Sequence, residues 1–154
     1  MAIPRGVWHD QGVPIADAMT VRVVTVRPDE TVQVAIARML EEDVGAVAVC
    51  EEHRLVGIFT ERDVLRLAGA GSSFSESRVG DVMTRQVATL TPDVDIVDAA
   101  RLMRERRIRH VPVVEGENVL GMVGIRDVLG ALVQQVWAAR DEAAHETARG
   151  LLSR

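Results

Sequence analysis

The chain repeats itself. A shift of roughly 64 residues lays its first half on its second without a gap. Asp17-Ala-Met19-Thr20 falls on Asp81-Val-Met83-Thr84, and Thr25-Val-Arg-Pro28-Asp29 falls on Thr89-Leu-Thr-Pro92-Asp93. Ala35 and Met39 fall on Ala99 and Met103, and Val47 and Val49 on Val111 and Val113. Gly57 falls on Gly121, and Arg62-Asp63-Val64-Leu65 on Arg126-Asp127-Val128-Leu129. A duplication of this kind restricts the architecture. Each copy is too short to bury a good core alone. The two are therefore expected to pack on one another through a common apolar face, about a pseudo-twofold axis, with clefts where they meet.

Each copy reads in the same order. Residues 22–26, Arg-Val-Val-Thr-Val, are short and β-branched, which predicts a strand ended by Pro28 and Asp29. Val32, Ala35, Ile36, Met39 and Leu40 follow at helical spacing, behind Thr31 or Asp29 as N-cap. Ala46 to Cys50 and Leu55 to Phe59 form a hairpin about a polar turn, and Thr60 to Ala68 is a second helix. The second copy predicts strands near 86–90, 110–114 and 119–123, with helices over 95–107 and from 125. The stretch Gly69-Ala-Gly-Ser-Ser-Phe-Ser-Glu-Ser has linker composition. The expected fold class is α+β: two βαββα repeats with pseudo-twofold symmetry and a C-terminal helical extension. Its divisions are an N-terminal segment over 1–12, repeats over 13–68 and 79–133, a linker over 69–78 and the extension over 134–154.

Composition narrows the chemistry. At 47% apolar and 27% charged residues, the 154-residue chain has the balance of a globular protein. Its longest apolar run, Val44 to Cys50, falls far short of the ~20 residues of a membrane span. Met1 to Asp10 has no apolar run of a secretion signal, and Cys50 is the single cysteine; both point to a reducing cytoplasm. Lysine is absent, so all 18 basic residues are arginine. That excludes a Walker-A phosphate loop and Schiff-base catalysis. A net charge of -5 disfavours nucleic acid or anionic lipid as a partner. No nucleophile–base pair, metal cluster or cofactor motif is present, so no enzyme is expected. The four histidines are scattered, and His110 reads as a packed or solvated side chain.

The repeated residues resemble a tandem pair of CBS domains, the cystathionine-β-synthase type module. The likeness is carried by Asp17-x-Met19-Thr20 and Asp81-x-Met83-Thr84, the Thr-x-x-Pro-Asp turns, and Arg109-His-Val-Pro112-Val. It is completed by Gly57-Ile-Phe-Thr60-Glu-Arg-Asp63 and Gly121-Met-Val-Gly124-Ile-Arg-Asp127. The resemblance implies sheet-to-sheet packing of the repeats and clefts that bind adenosine-type ligands. It implies a regulatory role without catalysis, no required cofactor, dimerisation into a flat disc, and an effector protein met in trans.

The resemblance also implies site residues. Asp63 is expected to accept the ribose hydroxyls and Thr60 to serve the ribose and phosphate side. Ile58, Val87, Ala88, Ile108 and Pro112 would sandwich adenine, with backbone groups near Val87 and Ala88 reading its edge. Arg109 and Arg126 are expected on phosphate, for which a planar guanidinium is suited. Two such arginines favour AMP, ADP or ATP over S-adenosylmethionine, with NAD a further candidate. A second, weaker cleft is expected from Asp127, Met122, Val23, Val24 and Arg62, because Gly124 stands where Thr60 stands in the first repeat. One lost hydrogen bond is worth ~0.5–1.5 kcal/mol. Thr60-x-x-Asp63 reads equally as a helix capping box. Arg101, Arg104 and Arg106 read as a solvated helix face. The alternative is a ligand-free scaffold whose clefts are degenerate. Beyond the repeats, Ala131 to Leu152 reads helical; Leu129, Leu132, Val133, Val136, Trp137 and Ala144 form an apolar stripe, and Gly150 offers an end to the helix. A homodimer contact is expected there, with Trp8, Ile3, Val7 and Val13 beside it.

Overall fold

Residues 12–152 are described by a computed structural model. The N-terminal Ile3, Val7 and Trp8 lie outside them. The chain runs α1 (Ile15–Ala18), β1 (Thr25–Val26), α2 (Val32–Glu41), β2 (Ala46–Glu51), β3 (Arg54–Thr60) and α3 (Glu61–Gly69). The second repeat follows with α4 (Val79–Val82), α5 (Ile96–Arg106), β4 (His110–Glu115), β5 (Asn118–Gly124) and α6 (Ile125–Leu152). The order of the strands is β1-β2-β3-β5-β4. Each hairpin is antiparallel, and each carries a register shift, between Val49 and Cys50 and between Val113 and Val114. The hairpins meet at their tips through one pair, Arg54 with Asn118, where Leu55 N–H donates to the Glu117 carbonyl at 3.1 Å. Those two residues are equivalents in the duplication, so the pseudo-twofold axis passes beside them.

The repeats do not share one core. Buried apolar residues divide into two clusters, one around Val47, Val49 and Phe59, the other around Val111, Val113 and Val123. Each is completed by the opening turn of the other repeat. Ile15 of α1 is buried in the second cluster, and Ile15 N–H donates to the Val94 carbonyl at 2.8 Å. Val79 of α4 is buried in the first, and its N–H donates to the Glu30 carbonyl at 2.9 Å. The reciprocal exchange supplies the apolar surface that each copy lacks alone, and burial of one such side chain is worth ~1.5–3 kcal/mol.

The approach of the two repeats depends on glycine. The Thr84 backbone exchanges two 3.0 Å hydrogen bonds with Ile58, and Thr20 exchanges bonds of 2.9 and 3.0 Å with Met122. A Cβ on Gly57 would stand 3.0 Å from the Thr84 carbonyl oxygen, and one on Gly121 would stand 2.9 Å from that of Thr20. The methionines Met83 and Met19 fill the remaining space over those glycines.

Several elements differ from the expectation. The strand at 22–26 contracts to β1, paired in parallel with β2. The strand near 86–90 is reduced to a bridge between Leu90 and Val113. The reason is at Pro112. Its equivalent, Ala48, donates its N–H to the Val24 carbonyl at 3.0 Å; proline has no N–H to give to Ala88. Leu40 is 77% exposed and leaves the apolar stripe of α2. Helix α6 reaches Leu152 as expected, continuing past Gly150. Thr31 is the N-cap of α2, its hydroxyl oxygen accepting the Val34 N–H at 3.3 Å. Cys50 is buried, and burial pushes its thiol pKa up. No described helix is long and apolar enough to cross a membrane.

Candidate functional site

Helix α3 begins where β3 ends, and Asp63 folds back over that start. Its Oδ2 accepts the Thr60 N–H at 2.9 Å and the Thr60 hydroxyl at 3.2 Å. Its Oδ1 faces Arg66 Nη1 at 3.3 Å. The side chain is buried, with 6% of its surface exposed. Asp127 repeats the device at the start of α6, its Oδ2 accepting the Gly124 N–H at 2.8 Å. A cap of this kind is worth ~1 kcal/mol, so both aspartates have a structural use. Only the first carries a hydroxyl beside it.

A cavity of about 560 Å³ opens over the N-terminus of α3, within the range of small-molecule sites. The first repeat gives it Ile58, Thr60 and Asp63. The second repeat crosses it as the segment Thr84 to Ala88 and borders it with Ile108, Arg109 and His110. Its lining thus combines apolar side chains with a buried carboxylate, a hydroxyl, a helix N-terminus and arginine. The backbone N–H and C=O groups of Val87 and Ala88 make no hydrogen bond to any described residue. Because Pro112 withholds a donor, the Ala88 carbonyl remains available to a ligand.

His110 stands between the repeats. A Cβ on Gly45 would lie 3.0 Å from its Cε1, and one on Gly124 would lie 3.6 Å from its Cδ2. Burial lowers its pKa, while the carboxylates of Glu61 and Asp127 oppose that shift and Arg109 adds to it. Among the described residues no group of three metal-ligating side chains could hold an ion.

Seven of the expected residues line this one cavity: Ile58, Thr60, Asp63, Val87, Ala88, Ile108 and Arg109. Pro112 does not line it; it is buried in β4. Arg126 is exposed and does not line it either. Arg62, expected in the other cleft, lines this one and donates from Nη1 to the Arg107 carbonyl at 3.0 Å. Of the residues expected in a second cleft, Asp127 caps α6, Met122 bridges Thr20, and Val23 and Val24 are half-buried. The lining also holds three arginines that the sequence does not mark for the site: Arg66, Arg106 and Arg107. Arg66 lies one turn beyond Asp63, a spacing that puts both on one helix face. Arg106, read as a solvated helix side chain, lies at the cavity's edge because α5 ends there.

Comparison with known proteins places these features. A sequence model of the CBS domain matches the chain twice, over residues 15–69 and 79–134. The mitochondrial CBS domain-containing protein CBSX3 of Arabidopsis thaliana is 41% identical over 113 residues, 70% of this chain and 55% of that protein. The chain therefore spans about half the length of that relative. The hexameric CBS-CP12 protein from bloom-forming cyanobacteria superposes with a TM-score of 0.74 at 27% identity, covering 90% of each chain. The CBS domain pair of protein MJ0100, solved with 5-methylthioadenosine and S-adenosyl-L-methionine, superposes with a TM-score of 0.70. That match covers 75% of this chain and 96% of the other, and at 23% identity it shows a likeness of fold.

Proposed function

Because this chain belongs to the CBS-domain family, we propose that it is a non-catalytic regulatory module. It binds an adenine nucleotide in the cleft over α3 and passes that state to a partner protein in trans. The observation that carries this reading is the composition of the cleft. One cavity brings together apolar side chains, a buried carboxylate at a helix N-terminus and arginines. Those three kinds of group suit base, ribose and phosphate.

In this reading adenine lies between Ile58, Val87, Ala88 and Ile108, and the Ala88 carbonyl accepts its 6-amino group. When the Thr60 hydroxyl turns from Asp63 to phosphate, Oδ2 keeps the Thr60 N–H and Oδ1 keeps Arg66, which leaves one free acceptor site on each oxygen, since a carboxylate offers about four. The ribose hydroxyls donate to these. The phosphates meet the Thr60 hydroxyl, the N-terminus of α3 and Arg109. That the MJ0100 pair was solved with adenosyl ligands is a precedent at the level of the fold. A second copy of the chain covers the apolar stripe of α6, in keeping with an assembled neighbour that matches over the length of this chain.

Titration calorimetry with adenosine, AMP, ADP, ATP, NAD and S-adenosylmethionine tests the reading. Saturable binding is expected for the nucleotides. Asp63→Ala should weaken it at least about tenfold, since charge-assisted contacts are worth ~1.5–3 kcal/mol. Pro112→Ala restores an N–H opposite the Ala88 carbonyl and should reduce the preference for adenosine over inosine nucleotides. Silence from every ligand at millimolar concentration would leave a ligand-free scaffold.

A further inference from the structure

The duplication carries opposite charges at equivalent positions. At the C-terminal end of α5 stand Arg106 and Arg107; the equivalent positions, just past α2, are Glu42 and Asp43. Arg109 stands opposite Gly45, and Arg66 opposite Gly130. The backbone frame is conserved through this reversal: Asp43 and Arg107 are both left-handed, with φ of 52 and 55. Aspartate tolerates that region, whereas arginine has no local contact to offset the cost. A strained arginine at the rim of a cavity points to a use for its charge.

That charge is unspent. Five arginines line the cavity, against the carboxylates of Glu61 and Asp63, in a chain whose net charge is -5. Arg66 faces Asp63, and Arg62 donates to a backbone carbonyl. Arg106, Arg107 and Arg109 form no ion pair or side-chain hydrogen bond with any described residue. The C-terminal dipole of α5 favours cations at its last turn, which accounts for Arg104 and Arg106. Arg107 caps the helix and Arg109 lies beyond it. On the other side of the pseudo-twofold axis, Arg22 takes the place of Gln86 and is ion-paired with Glu42 at 3.0 Å. There the positions equivalent to Arg106, Arg107 and Arg109 hold Glu42, Asp43 and Gly45, and Arg126, the counterpart of Arg62, is the cation left unpaired among the described residues.

We propose that the cleft over α3 selects a nucleoside polyphosphate, with Arg107 and Arg109, aided by Arg106, holding phosphates beyond the first. Each chain takes one such ligand, because the equivalent position of the other repeat repels it. This rests on the adenine-nucleotide reading and goes beyond it in ligand class and stoichiometry.

The test is a calorimetric series with the full chain at low and high salt. The probes are adenosine, AMP, ADP, ATP and inorganic tripolyphosphate; the proteins are wild type, Arg107→Gly and Arg106→Gln/Arg107→Gln. Affinity should climb from AMP to ATP by about tenfold or more, fall with salt, and saturate at one ATP per chain. Arg107→Gly should raise the melting temperature, because glycine removes the left-handed strain, while weakening ATP about tenfold and narrowing its margin over AMP. AMP bound as tightly as ATP, or two ATP per chain, would overturn the proposal and leave the adenine-nucleotide reading intact. Tripolyphosphate bound without any nucleotide would overturn that reading and keep the polyanion site. Binding of none of the probes overturns both.

Discussion

One missing proton shapes much of the site. Pro112 cannot donate where Ala48 does, so the second repeat loses a strand and gains a free carbonyl at Ala88. The sequence shows the proline plainly but not what it withholds, because that becomes visible only when the partner strand is in place. The capping pair of Thr60 and Asp63 was legible, since its spacing is local. Arg107 was not, because helix periodicity says nothing of a side chain that leaves its helix in the left-handed region. His110 carries a prediction at this scale. Its folded pKa is depressed below 6.5, chiefly by burial. The unfolded chain therefore binds the proton first as pH falls. Its contribution to stability is full above about pH 6.5 and is lost as pH drops through the folded pKa. Denaturant midpoints measured from pH 7.5 to 5 should decline in wild type and decline less in His110→Gln. Equal slopes in the two proteins would remove His110 as the cause. Loss at lower pH belongs to Asp29 and Glu30, whose carboxyls Arg27 and Arg38 hold below their ordinary values.

Among the elements, the helices and hairpins were readable because their apolar periodicity is strong. The exchange of α1 and α4 was not, because four-residue helices leave no period and either core accepts an isoleucine or a valine. The reach of α6 to Leu152 was legible, and it passes Gly150 because a glycine ends a helix only where a turn awaits it. That helix exposes Leu129, Val133, Val136 and Trp137, spaced to share one face, with Trp137 62% exposed. An apolar stripe of this size calls for cover. Sedimentation should find wild type as a dimer and Trp137→Glu shifted to monomer with its melting temperature little changed. A monomeric wild type would show that the stripe is covered by some other partner.

At the scale of the molecule, duplication and divergence act together. The shared frame makes two cores, two caps and two crossings over glycine. Substitutions on that frame then set the halves apart: Thr60 against Gly124, Arg107 against Asp43, Pro112 against Ala48. The symmetry could be read in the repeat itself. The asymmetry of charge needed the cleft, because only there do residues of α3 and of the α5–β4 turn come together. The most direct measurement is the crystal structure of the protein grown with saturating ATP. It should show one nucleotide per chain, the ribose hydroxyls on Asp63, adenine against Val87 and Ala88, and phosphates toward Arg107 and Arg109. A nucleotide seated elsewhere, or a cleft left vacant under saturation, would contradict it.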